Sequence, residues 1–287
     1  MSIAGGMDQA PLRGREAGCN TIQVFTKSNR QWRARLLAGE EVQAFQRNLA
    51  TTGIEPVVAH SCYLLNLAAS RRPLWKQSVV AFRGELERAE QLGIPYLVIH
   101  PGSHGGAGEA EGMGRVAEAL NVLHAALPRH RLQILLETTA GQGTSLGFRF
   151  EQLAAILEGV EAADRVGICL DTCHLFAAGY DIRSLVGYRR TMRELAACLG
   201  MSRVKAVHLN DSKQDLGSRV DRHEHIGEGR LGLAAFGWIV NDARLRRVPM
   251  ILETPKGSDP VAADRRNLAR LRRLVRAGRG SAKTRSL

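Results

Sequence analysis

Six largely apolar runs in this chain each end on a residue able to bind a metal: Val57–Ala59 before His60, Tyr96–Ile99 before His100, Leu135–Leu136 before Glu137, Ile168–Leu170 before Asp171, Val204–Val207 before His208, and Met250–Leu252 before Glu253. Runs of this length read as strands, and their lack of strict alternation is the pattern of strands covered on both faces. Successive endings lie roughly 35 to 45 residues apart, the length of a strand, a loop and a return helix. Helical periodicity fills the gaps. Trp75, Val79, Phe82, Leu86, Ala89 and Leu92 recur at three- and four-residue steps, and similar patterns run over residues 111–127, 150–157, 182–199, 231–240 and 259–275. These features predict an α/β fold, specifically a (β/α)8 TIM barrel whose strand ends assemble one polar site.

Length and composition narrow the reading. A chain of 287 residues suits one barrel of about 250 residues, with no low-complexity block to divide it. We therefore expect a single domain over residues 1–275 and a basic, disordered tail over 276–287. No apolar stretch reaches the 18 or so residues a membrane span needs, and Met1–Asn20 lacks the pattern of a signal peptide. Five scattered cysteines without a CxxC pair indicate neither a disulfide framework nor a zinc ribbon, so a reducing cytoplasm is expected. The net charge of +12 points to a polyanionic partner, yet nine Arg/Lys against one Asp in residues 261–287 account for most of it. Taken alone, that tail fits a nucleic-acid arm and a solvated terminus equally well.

Three further segments add ligand types in loops: Asp171-Thr172-Cys173-His174, Asp221-Arg222-His223-Glu224-His225, and His100-Pro101-Gly102-Ser103-His104. Imidazole with carboxylate suits Zn²⁺ or Mn²⁺ better than Mg²⁺. Asp221 and His223, two apart in an extended loop, would point to one side. So many candidate ligands exceed one four-coordinate ion and suit two or three, because clustered buried carboxylates are costly without neutralising cations. Multi-metal clusters of this kind serve phosphoryl chemistry, so phosphodiester hydrolysis is the natural reaction class. His104 and His225 are expected to contact phosphate or support the ligands. His124 and His130, flanking Pro128 at a helix end, are expected at the surface.

The segments Phe25–Trp32, His60–Leu67, His100–His104, Glu137–Gly143, Leu170–His174 with Ala178–Asp181, His208–Ser212, Arg219–His223 with Ile226–Gly229, and Leu252–Thr254 resemble, in order, the endonuclease IV family of apurinic/apyrimidinic endonucleases. The resemblance implies a monomeric barrel with three zinc ions per chain, manganese being admissible at some sites, that cuts duplex DNA 5′ to an abasic site and leaves a 3′-hydroxyl and a 5′-deoxyribose phosphate. Position by position, it implies that His60, His100 and Glu137 hold one ion. Glu137 would bridge to a second held by Asp171, His208 and Glu253, and His174, Asp221 and His223 would hold the third. A metal-bridging hydroxide would attack phosphorus, oriented by Glu253, with Glu137 as the bridging carboxylate. Arg30 and Tyr63 would be the DNA-binding wedge at the lesion. The rival reading is a metal-dependent sugar isomerase or epimerase on a related barrel, which the third ligand set and the wedge residues disfavour.

The strand count departs from this pattern. Residues 22–25, 57–60, 96–100, 134–137, 166–171, 204–209 and 248–253 make seven strands where a closed barrel has eight. The expectation is a truncated first strand, with Met1 an internal methionine of a longer natural protein; a chain really this short would instead leave two strand edges open beside the site and lose solubility.

Overall fold

The structure is a computed structural model that describes residues 1–276; residues 277–287, the greater part of the expected tail, lie outside the described residues. Seven parallel strands form one nearly closed barrel, in which β1 (Ile22–Phe25), β2 (Val57–His60), β3 (Tyr96–Ile99), β4 (Gln133–Glu137), β5 (Val166–Asp171) and β6 (Val204–His208) follow one another in sequence order. A two-stranded antiparallel ribbon, β7 (Asp211–Ser212) and β8 (His223–Glu224), interrupts the series before the seventh barrel strand, β9 (Met250–Ile251). The helices are α1 (Gln9–Ala17), α2 (Gly39–Thr52), α3 (Arg72–Gln91), α4 (Glu109–Ala126), α5 (Phe150–Glu158), α6 (Thr172–Ala178), α7 (Leu185–Cys198), α8 (Gly232–Val240) and α9 (Pro260–Leu274). None of them is long and apolar enough to cross a membrane.

The strands divide their side chains between two cores. Val58, Val98, Leu135, Cys169, Ala206 and Ile251 form a small cluster inside the barrel, one residue from each of β2 to β6 and β9. The alternate residues, such as Ala59, Leu97, Leu136, Ile168 and Val207, join the larger core between sheet and helices. In every one of these strands the metal-ligand residue lies two positions beyond the interior residue: Val58 and His60, Val98 and His100, Leu135 and Glu137, Cys169 and Asp171, Ala206 and His208, Ile251 and Glu253. Side chains two apart on a strand share a face, so filling the barrel with apolar residues automatically aims the next inward position at its mouth.

Register completes the alignment. Between β5 and β6 it shifts by one residue: Ile168 faces Val204, whereas Cys169 faces Ala206 and Asp171 faces His208. Without that shift Val207 would stand opposite Asp171. The bulge therefore lets Asp171 and His208 meet at the same level.

Three sequence expectations need correction. The last barrel strand pairs only over Met250 and Ile251 rather than across residues 248–253, because the Glu253 amide turns to the Asn210 side chain at 2.8 Å. His174 lies not in a loop but in the first turn of α6, whose N-cap Asp171 accepts the His174 amide at 2.8 Å. His124 is only 8% exposed, since α4 turns that side chain toward the packed layer, where burial first and then Arg165 lower its pKa to about 4.

The barrel's seam lies between β1 and β9, which are the two ends of the strand order. The Met1 amine donates to the Gln23 carbonyl on the β1 side of this seam. A cavity of about 660 Å³, lined in part by Met1, Gln23, Phe25, Leu252 and Glu253, runs from there to the mouth.

Candidate metal centre

Glu137, at the end of β4, is fully buried and stands at the middle of the site. Its Oε2 lies 3.1 Å from Nε2 of both His60 and His100, and its Oε1 lies 2.9 Å from His208 Nδ1. His208 Nδ1 is also 3.1 Å from Glu253 Oε2 and 3.8 Å from Asp171 Oδ2. Two ligand groups thus share Glu137: His60, His100 and Glu137, and Glu137, Asp171, His208 and Glu253. A third gathers beside them, where the two Asp221 oxygens lie 3.1 Å from His174 Nε2 and from His223 Nε2. Asp171 also approaches that group, at 3.8 Å from His223 Nε2. All nine side chains singled out as ligands in the sequence are brought together.

The hydrogen-bond partners of the histidines reveal what this cluster accommodates. His60, His174 and His223 each place Nδ1 against a backbone carbonyl, that of Ser61 at 2.7 Å, Thr138 at 2.7 Å and Glu253 at 3.1 Å. His208 places Nε2 against the Gln23 side-chain oxygen at 2.8 Å. A carbonyl can only accept, so those nitrogens carry the proton and the opposite nitrogen of each neutral ring presents a lone pair to the carboxylates. Lone pair facing carboxylate at about 3 Å is repulsive unless a cation lies between them. Among the described residues, His174 Nε2 and His223 Nε2 are moreover buried with no partner in hydrogen-bonding geometry, although the Asp221 oxygens stand 3.1 Å away. The donor set fits borderline divalent ions such as zinc, with each imidazole held in the ligating tautomer from behind.

Without metal, protons fill that role. Burial pulls the His174 imidazolium pKa down, but Asp171, Asp221 and Glu137 override it and raise it well above the ordinary value. His223 behaves alike: burial opposes its charge, Asp171 and Asp221 prevail, and its pKa rises to about 9. Burial alone would raise the Glu137 carboxyl, yet the His208 and His100 imidazoles hold it well below the usual carboxylate range. Cys173 Sγ also reaches the Asp221–His223 group. Burial and then Asp171 push this thiol up to about 12, so in the metal-free pocket it stays neutral, its sulfur 3.7 Å from the Arg222 carbonyl.

Several supporting residues were not picked out in the sequence. Gln23, the one polar residue of β1, occupies the interior register opposite Val58 and donates to Glu253 Oε1 at 2.6 Å while accepting from His208. Asn210 donates to Asp171 Oδ2 at 2.6 Å and accepts from the Glu253 amide, tying two ligands together. Buried Asp211 accepts the amides of Gly227, Gly229 and Leu231, which folds the segment after His223 back on the barrel. A Cβ at Gly229 would lie 2.4 Å from the Ser212 carbonyl, so this turn admits only glycine. A polar residue inside an apolar strand was the available signal for Gln23.

The remaining sequence candidates fall at the margin. His104 Nδ1 accepts the Gly108 amide at 3.0 Å, and His225 Nδ1 meets the Asn267 amide group at 3.0 Å, so both brace loops rather than join the nine. Arg30 is exposed on the loop after β1. Tyr63 stands 65% exposed after β2, its ring 5.5 Å from Phe25 and 5.9 Å from His60.

A parallel barrel with a carboxylate–imidazole cluster at the C-terminal ends of its strands defines a xylose isomerase-like TIM barrel, and the model of that family matches residues 13–274. Within that class, the chain belongs to the endonuclease IV family. It is 54% identical over 276 residues to a protein of Chloroflexus aggregans named "Probable endonuclease 4", a match covering 96% of each chain. The crystal structure of endonuclease IV from Thermus thermophilus superposes with a TM-score of 0.83 at 37% identity, again over 96% of each chain. A D-tagatose 3-epimerase-like protein superposes with a TM-score of 0.68 over 89% of each chain, and at 17% identity that likeness is one of fold alone.

Proposed function

We propose that this protein is a DNA-repair endonuclease that hydrolyses the phosphodiester 5′ to an abasic site in duplex DNA, leaving a 3′-hydroxyl and a 5′-deoxyribose phosphate. The observation that carries this reading is the convergence of nine ligand side chains into three adjoining groups, two of them sharing Glu137, in a chain 54% identical to a named endonuclease 4. Three bound zinc ions, with manganese admissible at some sites, would supply an activated water and Lewis-acid stabilisation of the attacking and leaving oxygens.

In this reading His60, His100 and Glu137 form one site, Glu137, Asp171, His208 and Glu253 the second, and His174, Asp221 and His223 the third. Glu253 is the only carboxylate of the second group with exposed surface, 22% of its side chain, which suits it to accept a proton from the attacking water. Gln23 holds its other oxygen and so fixes the direction of that contact. Arg30 and Tyr63 engage the duplex at the lesion, the guanidinium pairing with phosphate and the phenol ring filling the space of the missing base. An epimerase reading uses fewer ions and leaves the Asp221 group without a task.

The test is incubation of the purified protein with a labelled duplex carrying one synthetic abasic site, with and without chelator. We expect one metal-dependent cut yielding the stated ends. A product bearing a 3′ aldehyde fragment, or cleavage indifferent to chelation, would overturn the reading.

A further inference from the structure

We propose that Glu85, on α3 and outside the metal cluster, is a positioning residue that sets the two loops carrying Arg30 and Tyr63 relative to each other, and with them the discrimination between abasic and intact duplex. This inference rests on the assignment of Arg30 and Tyr63 to lesion recognition.

Glu85 is a carboxylate with 1% of its side chain exposed, paired at 2.9 Å with Lys27, itself 5% exposed. Burying such a pair costs more than filling the same space with apolar side chains unless further hydrogen bonds satisfy both ions. Here those bonds go to the two loops. Lys27 Nζ donates to the Gln31 carbonyl, next to Arg30, and Glu85 Oε2 accepts the Cys62 amide at 3.1 Å, next to Tyr63. One ion pair therefore joins both loops through their backbones.

The same helix closes their outer ends. Arg88, one turn beyond Glu85, donates through Nε to the Thr26 carbonyl at 2.9 Å and through Nη1 to the Arg35 carbonyl at 2.7 Å, bracketing the Arg30 loop. Ser78, two turns before Glu85 and fully buried, accepts the Asn66 amide at 3.0 Å, closing the Tyr63 loop. Among the described residues, no hydrogen bond joins α3 to a metal-ligand side chain. Glu85 thus acts on the loops and leaves the metal groups to the strand ends.

The decisive variant combines Lys27→Met with Glu85→Leu, which removes both charges together and leaves neither buried alone. It should retain its metal and hydrolyse bis(p-nitrophenyl) phosphate, too small to span the loops, within about twofold of the parent. Its KM for an abasic duplex should rise about tenfold with a much smaller change in kcat, the signature of lost positioning. An unchanged KM, or an equal loss on both substrates, would overturn the proposal. Should the double variant not fold, amide hydrogen exchange in Glu85→Gln decides: faster exchange confined to residues 27–31 and 62–66 supports it, and unchanged exchange there sinks it. Failure of the parent protein to cut abasic DNA would refute the proposed function, while the exchange experiment would still test the hold of Glu85 on the loops.

Discussion

Glu137, Asp171 and His208 have no exposed surface, whereas Tyr63, at the same mouth of the barrel, is 65% exposed and Arg30 also stands in solvent. The first set hangs on strand ends whose register is locked by ladders on either side. The second stands on loops held by a helix through one buried ion pair and a few backbone contacts. Chemistry with ions tolerates little displacement, so it belongs where backbone hydrogen bonds are densest. Engagement of a bent or unpaired duplex calls for side chains that reach outward, and loops supply them.

The comparison breaks most visibly at Glu253. Glu253→Gln should lower cleavage by about a thousandfold or more while shifting the Kd for abasic duplex by less than about tenfold, because in the proposed mechanism its charge serves the chemical step. Equal loss of binding and cleavage would show that the two sides of the mouth are not separable. Asp221→Asn should cost about a hundredfold in cleavage and reduce the bound metal by one ion per chain in elemental analysis. Metal content unchanged in that variant would dissolve the third group. On the loop side, Arg30→Ala and Tyr63→Ala should each raise KM about tenfold with full metal content, and a loss of metal in either would contradict the division drawn above.

Acid–base behaviour offers a smaller, sharper test. In the metal-free protein the His223 pKa rises from 6.5 to about 9, so the stability contributed by its imidazolium is complete below 6.5 and is lost as pH climbs through 9. The raised pKa values of His174 and His208 act in the same direction. Chelated protein should therefore melt several degrees lower near pH 10 than near pH 6.5, and saturating zinc should flatten that dependence. A metal-free melting temperature that is level or rising across the interval would rule out the proton-for-metal exchange. The smallest effect is expected from deleting residues 277–287, which carry Arg279, Lys283 and Arg285: weaker duplex binding and a salt slope shallower by about one to three. An identical slope would remove the segment from the DNA-binding surface.

Much of the site was legible in the chain itself, since His, Asp and Glu at the ends of apolar runs are costly to bury and therefore informative wherever they recur. Seven parallel strands and the order of the ligands could be read that way. Gln23 was flagged only by being a polar residue in an apolar strand, and Asn210 by nothing, because what an amide does is not known until its partners are. Glu85 was missed for a related reason: among Arg83, Glu87 and Arg88 it reads as one more charge on a helix, and only packing shows that α3 buries it while Arg83, two residues before, stays exposed. His124 was misplaced because its distance from a helix end says nothing of which face the helix buries.

What the amino-acid order settles alone is the two-residue step from interior residue to ligand, because alternation along a strand is local geometry. It does not settle whether the strands stand level. The one-residue shift between β5 and β6 sets Asp171 opposite His208, and it belongs to the pairing of two segments 38 residues apart, from Val166 to Val204. Which oxygen of Glu137 faces which imidazole, and which carbonyl fixes each ring, follow from that closure. Such contacts join residues remote along the chain, and their distances are set by how the whole barrel packs.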